Sequence, residues 1–207
     1  MLLLMAWRCC LAQTDTNLIA TGDWSEPVSD RDGCSLRGRL LVYDKQLTRH
    51  WDSGARIYLE LQQAPKPDTN GMIWFSDPVE IYYDPNLGID GQPAELNLEL
   101  HDGLDRKIPS ERVTFNGAFE KPYWVTLPLN ATLRIRSTDL AFGFDGTNST
   151  GLHIMGHGQW TISPHSTNDY YLHGTFTATN DHPSPLHYHI WTGTLKLPTV
   201  KIPAGQK

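Results

Sequence analysis

The sequence predicts an all-β fold: an antiparallel β-sandwich, immunoglobulin-like or jelly-roll, with about nine or ten strands. Three observations carry this expectation. Apolar and polar residues alternate at period two from Leu36 onward, the pattern of strands with one buried and one wet face. Turn-forming pairs punctuate these runs, among them Asp90-Gly91, Asp102-Gly103, Asn116-Gly117 and Asp145-Gly146. Fourteen prolines are spread along the 207 residues, and no amphipathic helix of three turns fits between them.

The strands follow in chain order. Leu36, Gly38, Leu40 and Val42 face one way, with Arg37 and Arg39 on the other side. Ile57, Leu59 and Leu61 alternate with Arg56, Tyr58 and Glu60. Ala94, Leu96, Leu98 and Leu100 alternate with Glu95, Asn97 and Glu99. Further strands are expected over 79–83, 113–115, 123–127, 132–137, 152–163, 169–179 and 188–197. The runs 152–163 and 169–179 read as a hairpin joined by Pro164–Asn168, with Gln159 opposite His173 and His157 opposite Thr175. A one-residue slip would reverse its wet face. One sandwich over residues 21–203 fits the length, with 204–207 as a tail. Two small β domains meeting near 105–120 are the alternative.

Composition narrows the function. Lys and Arg total 17 against 23 Asp and Glu, a formal charge of −6, which argues against a basic nucleic-acid binder. Hydrophobic residues make up 39%, the content of a globular domain rather than a disordered chain. No run approaches the ~20 apolar residues of a membrane helix, so no membrane span is expected. Residues 1–20 begin Met1-Leu2-Leu3-Leu4-Met5-Ala6-Trp7-Arg8 and resemble a truncated export signal, the alternatives being a disordered tail or a misassigned start. Cys10-Leu11-Ala12 offers a small residue for cleavage, and Cys9 or Cys10 would be the residue for a lipid anchor. The expected location is exported: periplasmic, cell-surface or extracellular. With the first dozen residues removed, only Cys34 remains, a buried thiol without a disulfide partner.

Three constellations can carry chemistry. Seven of nine histidines fall between His153 and His189. His187 and His189 share one strand face, and His157 and His173 are diagonal neighbours in the expected hairpin. These four are the candidate ligands for zinc or copper, since imidazole is the commonest protein ligand for such ions. The alternative is a polar strand face with solvated rings and no cofactor. The second constellation is acidic. Residues 71–105 contain eight carboxylates and no Lys or Arg, pointing to a cation or a basic partner. Within it Asp84, Asn86, Asp90 and Glu95 partly imitate a calcium loop, with Ile89 where that loop requires Gly. The third is aromatic: Trp74, Phe75, Tyr82, Tyr83, Tyr123, Trp124, Trp160, Tyr170, Tyr171 and Trp191 are candidates for stacking sugar rings, with core filling as the alternative. Nucleophile elbows, zinc-protease motifs, phosphate loops and dinucleotide glycine patterns do not occur in the sequence.

Several segments together resemble a group of uncharacterised exported β-sandwich proteins from planctomycete-type bacteria. They are Leu36–Tyr43, Ile57–Gln62, Gly158–Ile162, Asp169–Thr177 and Trp191–Pro198. The resemblance covers most of residues 21–203 and implies the sandwich fold, with no activity or site residues to carry over. Trp191-Thr192-Gly193-Thr194-Leu195 also resembles the closing strand of extracellular immunoglobulin-like domains. The leading expectation is an exported, non-enzymatic binding domain with an unknown protein or glycan partner. The alternatives are a histidine-cluster metal protein or metalloenzyme, and a carbohydrate-binding module.

Overall fold

In the computed structural model, residues 18–44, 54–64, 78–83, 94–110, 123–129, 131–144, 150–154, 158–162, 169–179, 186 and 188–202 are described. Among them every regular element is a strand. In chain order these are β1 (Leu18–Thr21), β2 (Val28–Ser29), β3 (Ser35–Asp44), β4 (Gly54–Ala64) and β5 (Val79–Tyr83). Then come β6 (Ala94–Asp102), β7 (Tyr123–Leu127), β8 (Thr132–Phe144) and β9 (Thr150–Ile154). The last are β10 (Gly158–Ile162), β11 (Tyr170–Ala178), β12 (His189–Ile190) and β13 (Gly193–Ile202). No helix among the described residues is long and apolar enough to cross a membrane.

The strands form three sheets. The largest runs β1-β3-β4-β8-β9-β10, with β2 also paired to β3. A second runs β13-β11-β6 and a third β12-β5-β7. All pairings are antiparallel except that of β12 with β5. The alternation read from the sequence decides what lies inside. Leu36, Leu40, Val42, Ile57, Leu59 and Leu61 project from the large sheet and are fully buried. They meet Leu96, Leu100, Leu172, Phe176, Leu195 and Val200 from the second sheet in one core. Along β11 burial alternates without a break, so Tyr171, His173, Thr175 and Thr177 share the outer face.

The third sheet closes the core with Val79, Ile81 and Leu127. Trp191, between β12 and β13, is fully buried. Its ring stacks on Phe176 with centroids 6.4 Å apart, and its Nε1–H donates to the Val28 carbonyl at 3.3 Å. A buried indole needs such a partner for its one polar group.

Several expectations are corrected. The run 152–163 is not one strand paired with 169–179. It divides into β9 and β10, which pair with each other in the large sheet, with Ile154 opposite Gly158. β9 ends at Ile154 and β10 begins at Gly158, a glycine, the residue type that weakens a strand. β11 instead lies between β6 and β13, so His173 stands opposite Glu99, not Gln159. As a central strand β11 satisfies both of its backbone edges, which pairing with one short neighbour would not do. The run 188–197 also divides, at Trp191, and β8 extends well past the expected 132–137. The expected strand 113–115 lies outside the described residues.

Glycines set the spacing between the two main sheets. A Cβ added at Gly38 would lie 2.9 Å from Leu197 Cδ2, 3.2 Å from Leu61 Cδ2 and 3.3 Å from Leu195 Cδ1. One added at Gly174 would lie 2.9 Å from Leu197 Cδ1 and 3.0 Å from Leu40 Cδ1. These leucines are hemmed in by the same core and have little room to yield. We predict that Gly38→Ala and Gly174→Ala each lower stability in urea denaturation by ~1–3 kcal/mol, the usual cost of overpacking. Leu197→Ala should cost less stability in either background than it does in the parent chain, because there it relieves a clash, whereas in the parent it leaves a cavity.

Candidate metal centre

The outer face of the second sheet carries the clearest convergence of titratable groups. β6 and β11 pair with Tyr171 opposite His101 and His173 opposite Glu99, so His101 and His173 are diagonal neighbours. Diagonal side chains on one sheet face are close enough for rings to meet. The two imidazoles lie 3.9 Å apart between centroids, with planes inclined by 31°.

The third member comes from the turn after β6. Asp102 organises that turn: its Oδ1 accepts the backbone N–H of Leu104 at 2.9 Å and of Arg106 at 3.0 Å. Its backbone N–H donates to the Arg106 carbonyl at 3.0 Å and its carbonyl accepts Asp105 N–H at 2.9 Å. Such side-chain bonds to the following backbone are what Asp supplies at turns. The Arg106 side chain and these backbone bonds hold the Asp102 carboxyl at about 2, well below its usual value. Within the turn Asp105 adopts the left-handed region, with φ of 60°, which Asp tolerates better than most residues. Its carboxylate lies against the histidine pair. Oδ1 lies 3.0 Å from His101 Nδ1 and 3.4 Å from His173 Nε2.

His101, Asp105 and His173 each offer one ligand atom within 4.8 Å of those of the other two, the only such group of three or more His, Cys, Asp or Glu among the described residues. Ligands ~2.0–2.2 Å from zinc are ~3.3 Å apart in a tetrahedral site, a spacing close to those found here. The far ring nitrogens also face oxygens: Thr199 Oγ1 lies 3.4 Å from His173 Nδ1, and Glu99 Oε2 lies 3.5 Å from His101 Nε2. The latter separation is too long to satisfy His101 Nε2, which is buried without a hydrogen-bond partner. Glu99 in turn takes Lys107 Nζ at 2.5 Å, and this bond is the main cause that keeps its carboxyl below the usual range.

Electrostatics favour neutral imidazole at His173. Burial, reinforced by His101, holds it below its ordinary 6.5, against the opposing pull of Asp105 and Glu99. A metal requires that neutral form.

Of the four histidines expected to bind metal, His173 is in this group. His189 is not: it stands on β12 and pairs with Asp30 through Nε2. The Asp30 carboxylate is only 2% exposed. Its Oδ1 accepts the backbone N–H of Asp32 at 3.1 Å and of Cys34 at 2.9 Å, so one carboxylate closes the 30–34 turn and ties it to β12. Burial and the Asp30 charge push the nearby Cys34 thiol up to about 11, so at neutral pH it supplies no thiolate. His157 and His187 lie outside the described residues, as do Asp84, Asn86 and Asp90 of the calcium reading. Glu95 stands on β6 opposite Thr177.

Among the expected aromatic residues, Trp160, Tyr170 and Trp191 are buried and serve the core, which removes them as sugar platforms. Tyr82 and Trp124 form a half-buried cross-strand pair, with centroids 5.0 Å apart. Tyr171 is also half-buried. Trp74 and Phe75 lie outside the described residues.

Sequence reading missed His101, Asp30 and Trp24, and placed Asp105 only as one of the eight carboxylates of the acidic stretch 71–105. His101 lies outside the histidine-rich stretch, but it continues the outward set of Glu95, Asn97 and Glu99 on β6. That phase, followed by an Asp-Gly turn and a second Asp, was the available signal. Comparison of the chain with family models, with curated proteins and with solved structures finds no match.

Two predictions follow from the titrating groups. The unfolded chain protonates at position 173 at higher pH than the folded one, so this contribution is full above 6.5 and is lost as pH falls through the folded value. Urea midpoints should therefore decline below 6.5, and His173→Gln should flatten that decline; an unchanged slope would refute it. Asp30→Ala, which leaves the Asp32 and Cys34 N–H groups and His189 without their acceptor, should cost ~2 kcal/mol. Asp32→Ala, whose carboxylate is 74% exposed, should cost less than ~0.5 kcal/mol in the same assay.

Proposed function

We propose that this chain is a β-sandwich binding module that holds one divalent transition-metal ion, zinc or copper, on the outer face of its β13-β11-β6 sheet. The ligands are His101 Nδ1, Asp105 Oδ1 and His173 Nε2. The observation that supports this reading is the pairing of the convergent ligand atoms with an oxygen behind each imidazole.

The proton inventory explains why that backing matters. Without an ion, His101 Nδ1 lies against two acceptors, Asp105 Oδ1 at 3.0 Å and the Asp105 carbonyl at 3.2 Å, and donates to them. In neutral imidazole Nε2 then bears a lone pair that faces the Glu99 carboxylate. An ion at Nδ1 moves the proton to Nε2, the buried nitrogen that otherwise has no bond; it faces Glu99 Oε2 at 3.5 Å, and a small approach of the half-exposed Glu99 side chain lets it donate there. A ligating histidine whose second N–H donates to a carboxylate is a common arrangement around metals. At His173 the Thr199 hydroxyl oxygen serves the same purpose. Three protein ligands leave a position for water or for a group on a bound partner.

Protein purified without chelator should carry about one zinc or copper per chain by elemental analysis, and the stripped chain should rebind it in calorimetry. Substituting both His101 and His173 by Ala should weaken binding by at least ~100-fold while far-ultraviolet circular dichroism stays unchanged. His187→Ala/His189→Ala should bind as the parent does. Calcium as the sole bound ion, or full binding by the His101/His173 variant, would refute the proposal.

A further inference from the structure

The outer face of the large sheet presents a second set of charges, unrelated to the histidine site. Arg39 on β3, Glu60 on β4 and Arg134 on β8 stand side by side across three strands. The Glu60 carboxylate is 4% exposed and accepts Arg39 Nε on one oxygen at 2.7 Å and Arg134 Nε on the other at 2.9 Å. Two residues along β3, Arg37 stands opposite Gln62 and donates Nε and Nη2 to its Oε1 at 2.9 and 2.5 Å. Trp24 lies against both β3 arginines, with its ring centroid 4.5 Å from Arg39 Cζ and 5.0 Å from Arg37 Cζ.

Glu60 is the carboxylate for both Arg39 and Arg134, and the Arg37 guanidinium has a neutral amide as its hydrogen-bond partner. Among the described contacts Arg37 has no carboxylate partner, and Glu60 takes only the Nε of Arg39. Sheet pairing alone explains the Arg39–Glu60–Arg134 ladder; it does not explain a third arginine set beside it. The guanidiniums are also held in place. Arg39 is fixed by its Nε bond and by the indole, which leaves its terminal amino groups for an outside acceptor. Arg37 is fixed in the same way through Gln62 and Trp24. Fixed planar guanidiniums bind oxyanions at lower entropic cost than mobile ones.

We propose that this face binds an acidic polysaccharide, with sugar carboxylates or sulfates on Arg37 and Arg39 and a sugar ring against the solvent-facing part of the half-buried Trp24. Charge complementarity selects an anionic partner. An aromatic ring between the arginines suits one whose anions are carried on rings with apolar faces. The protein's own negative charge disfavours a polyanion as dense as nucleic acid. A repeating ligand gains by rebinding along its length, so a small patch suffices.

Affinity electrophoresis of the full chain through gels containing polygalacturonate, dextran sulfate or unsubstituted dextran tests this. At least one charged polymer should retard the chain, in a manner that added salt reverses, and dextran should not. Arg37→Gln, at a half-buried position whose loss leaves the Glu60 ladder in place, should weaken retardation at least ~10-fold. Trp24→Leu should weaken it as well, with both folds confirmed by circular dichroism. The variant lacking His101 and His173 should be retarded like the parent, which separates this proposal from the metal reading. No retardation by either charged polymer, equal retardation by dextran, stronger retardation by single-stranded DNA, or an unaltered Arg37→Gln variant would overturn it.

Discussion

Leu197 and Leu40 sit between the two main sheets because Gly38 and Gly174 leave room for them. This close approach governs much else in the molecule. With β13 against β3, alternate residues of β11 are committed to the interior together with Leu195, Leu197, Val200 and Ile202 of β13, and a shift of β11 by one residue would expose an entire apolar row. The interior is consequently aliphatic and aromatic along those strands. Chemistry-bearing side chains on them are left to the outer faces: His173 and Thr199 on one sheet, Arg37 and Arg39 on the other.

The histidine site follows from that phase together with one turn. Outward positions on β6 and β11 bring His101 and His173 together, but two imidazoles alone make a weak ligand set. The turn after β6 adds the carboxylate. Asp102 binds its backbone tightly enough to hold Asp105 at positive φ, and the Asp105 carboxylate then faces back onto the sheet. Such conformations are uncommon for residues other than glycine and persist where surrounding bonds enforce them. Here the enforcing bonds and the carboxylate with functional potential belong to the same five-residue segment, 102–106.

The alternation at Leu36–Val42, Ile57–Leu61 and Ala94–Leu100 was legible because period two is a local property, and the structure buries those apolar sets. What was not legible was which strand lies beside which. Treating 152–163 and 169–179 as a hairpin assumes that neighbours in sequence are neighbours in space, yet β11 pairs with β6 and β13 instead. That error carried into the site. Sequence density singled out His157, His173, His187 and His189, whereas the described group joins His173 to residues some seventy positions earlier. Asp30 and His189 are more distant still, and nothing local to Asp30 marks it as their joint anchor. Trp24 was overlooked because its role depends on two arginines of a later strand.

In the proposed site one ion is held by His101 Nδ1 and His173 Nε2, with the His101 proton moved to Nε2. Long-range proton–nitrogen correlation spectra of ¹⁵N-histidine-labelled protein, recorded before and after one equivalent of zinc, observe each ring nitrogen directly. Metal addition should shift His101 Nδ1 and His173 Nε2 to metal-bound values and leave His101 Nε2 protonated, with His189 unchanged. Metal-bound shifts at other histidines, or His101 remaining protonated at Nδ1 in the presence of zinc, would contradict it.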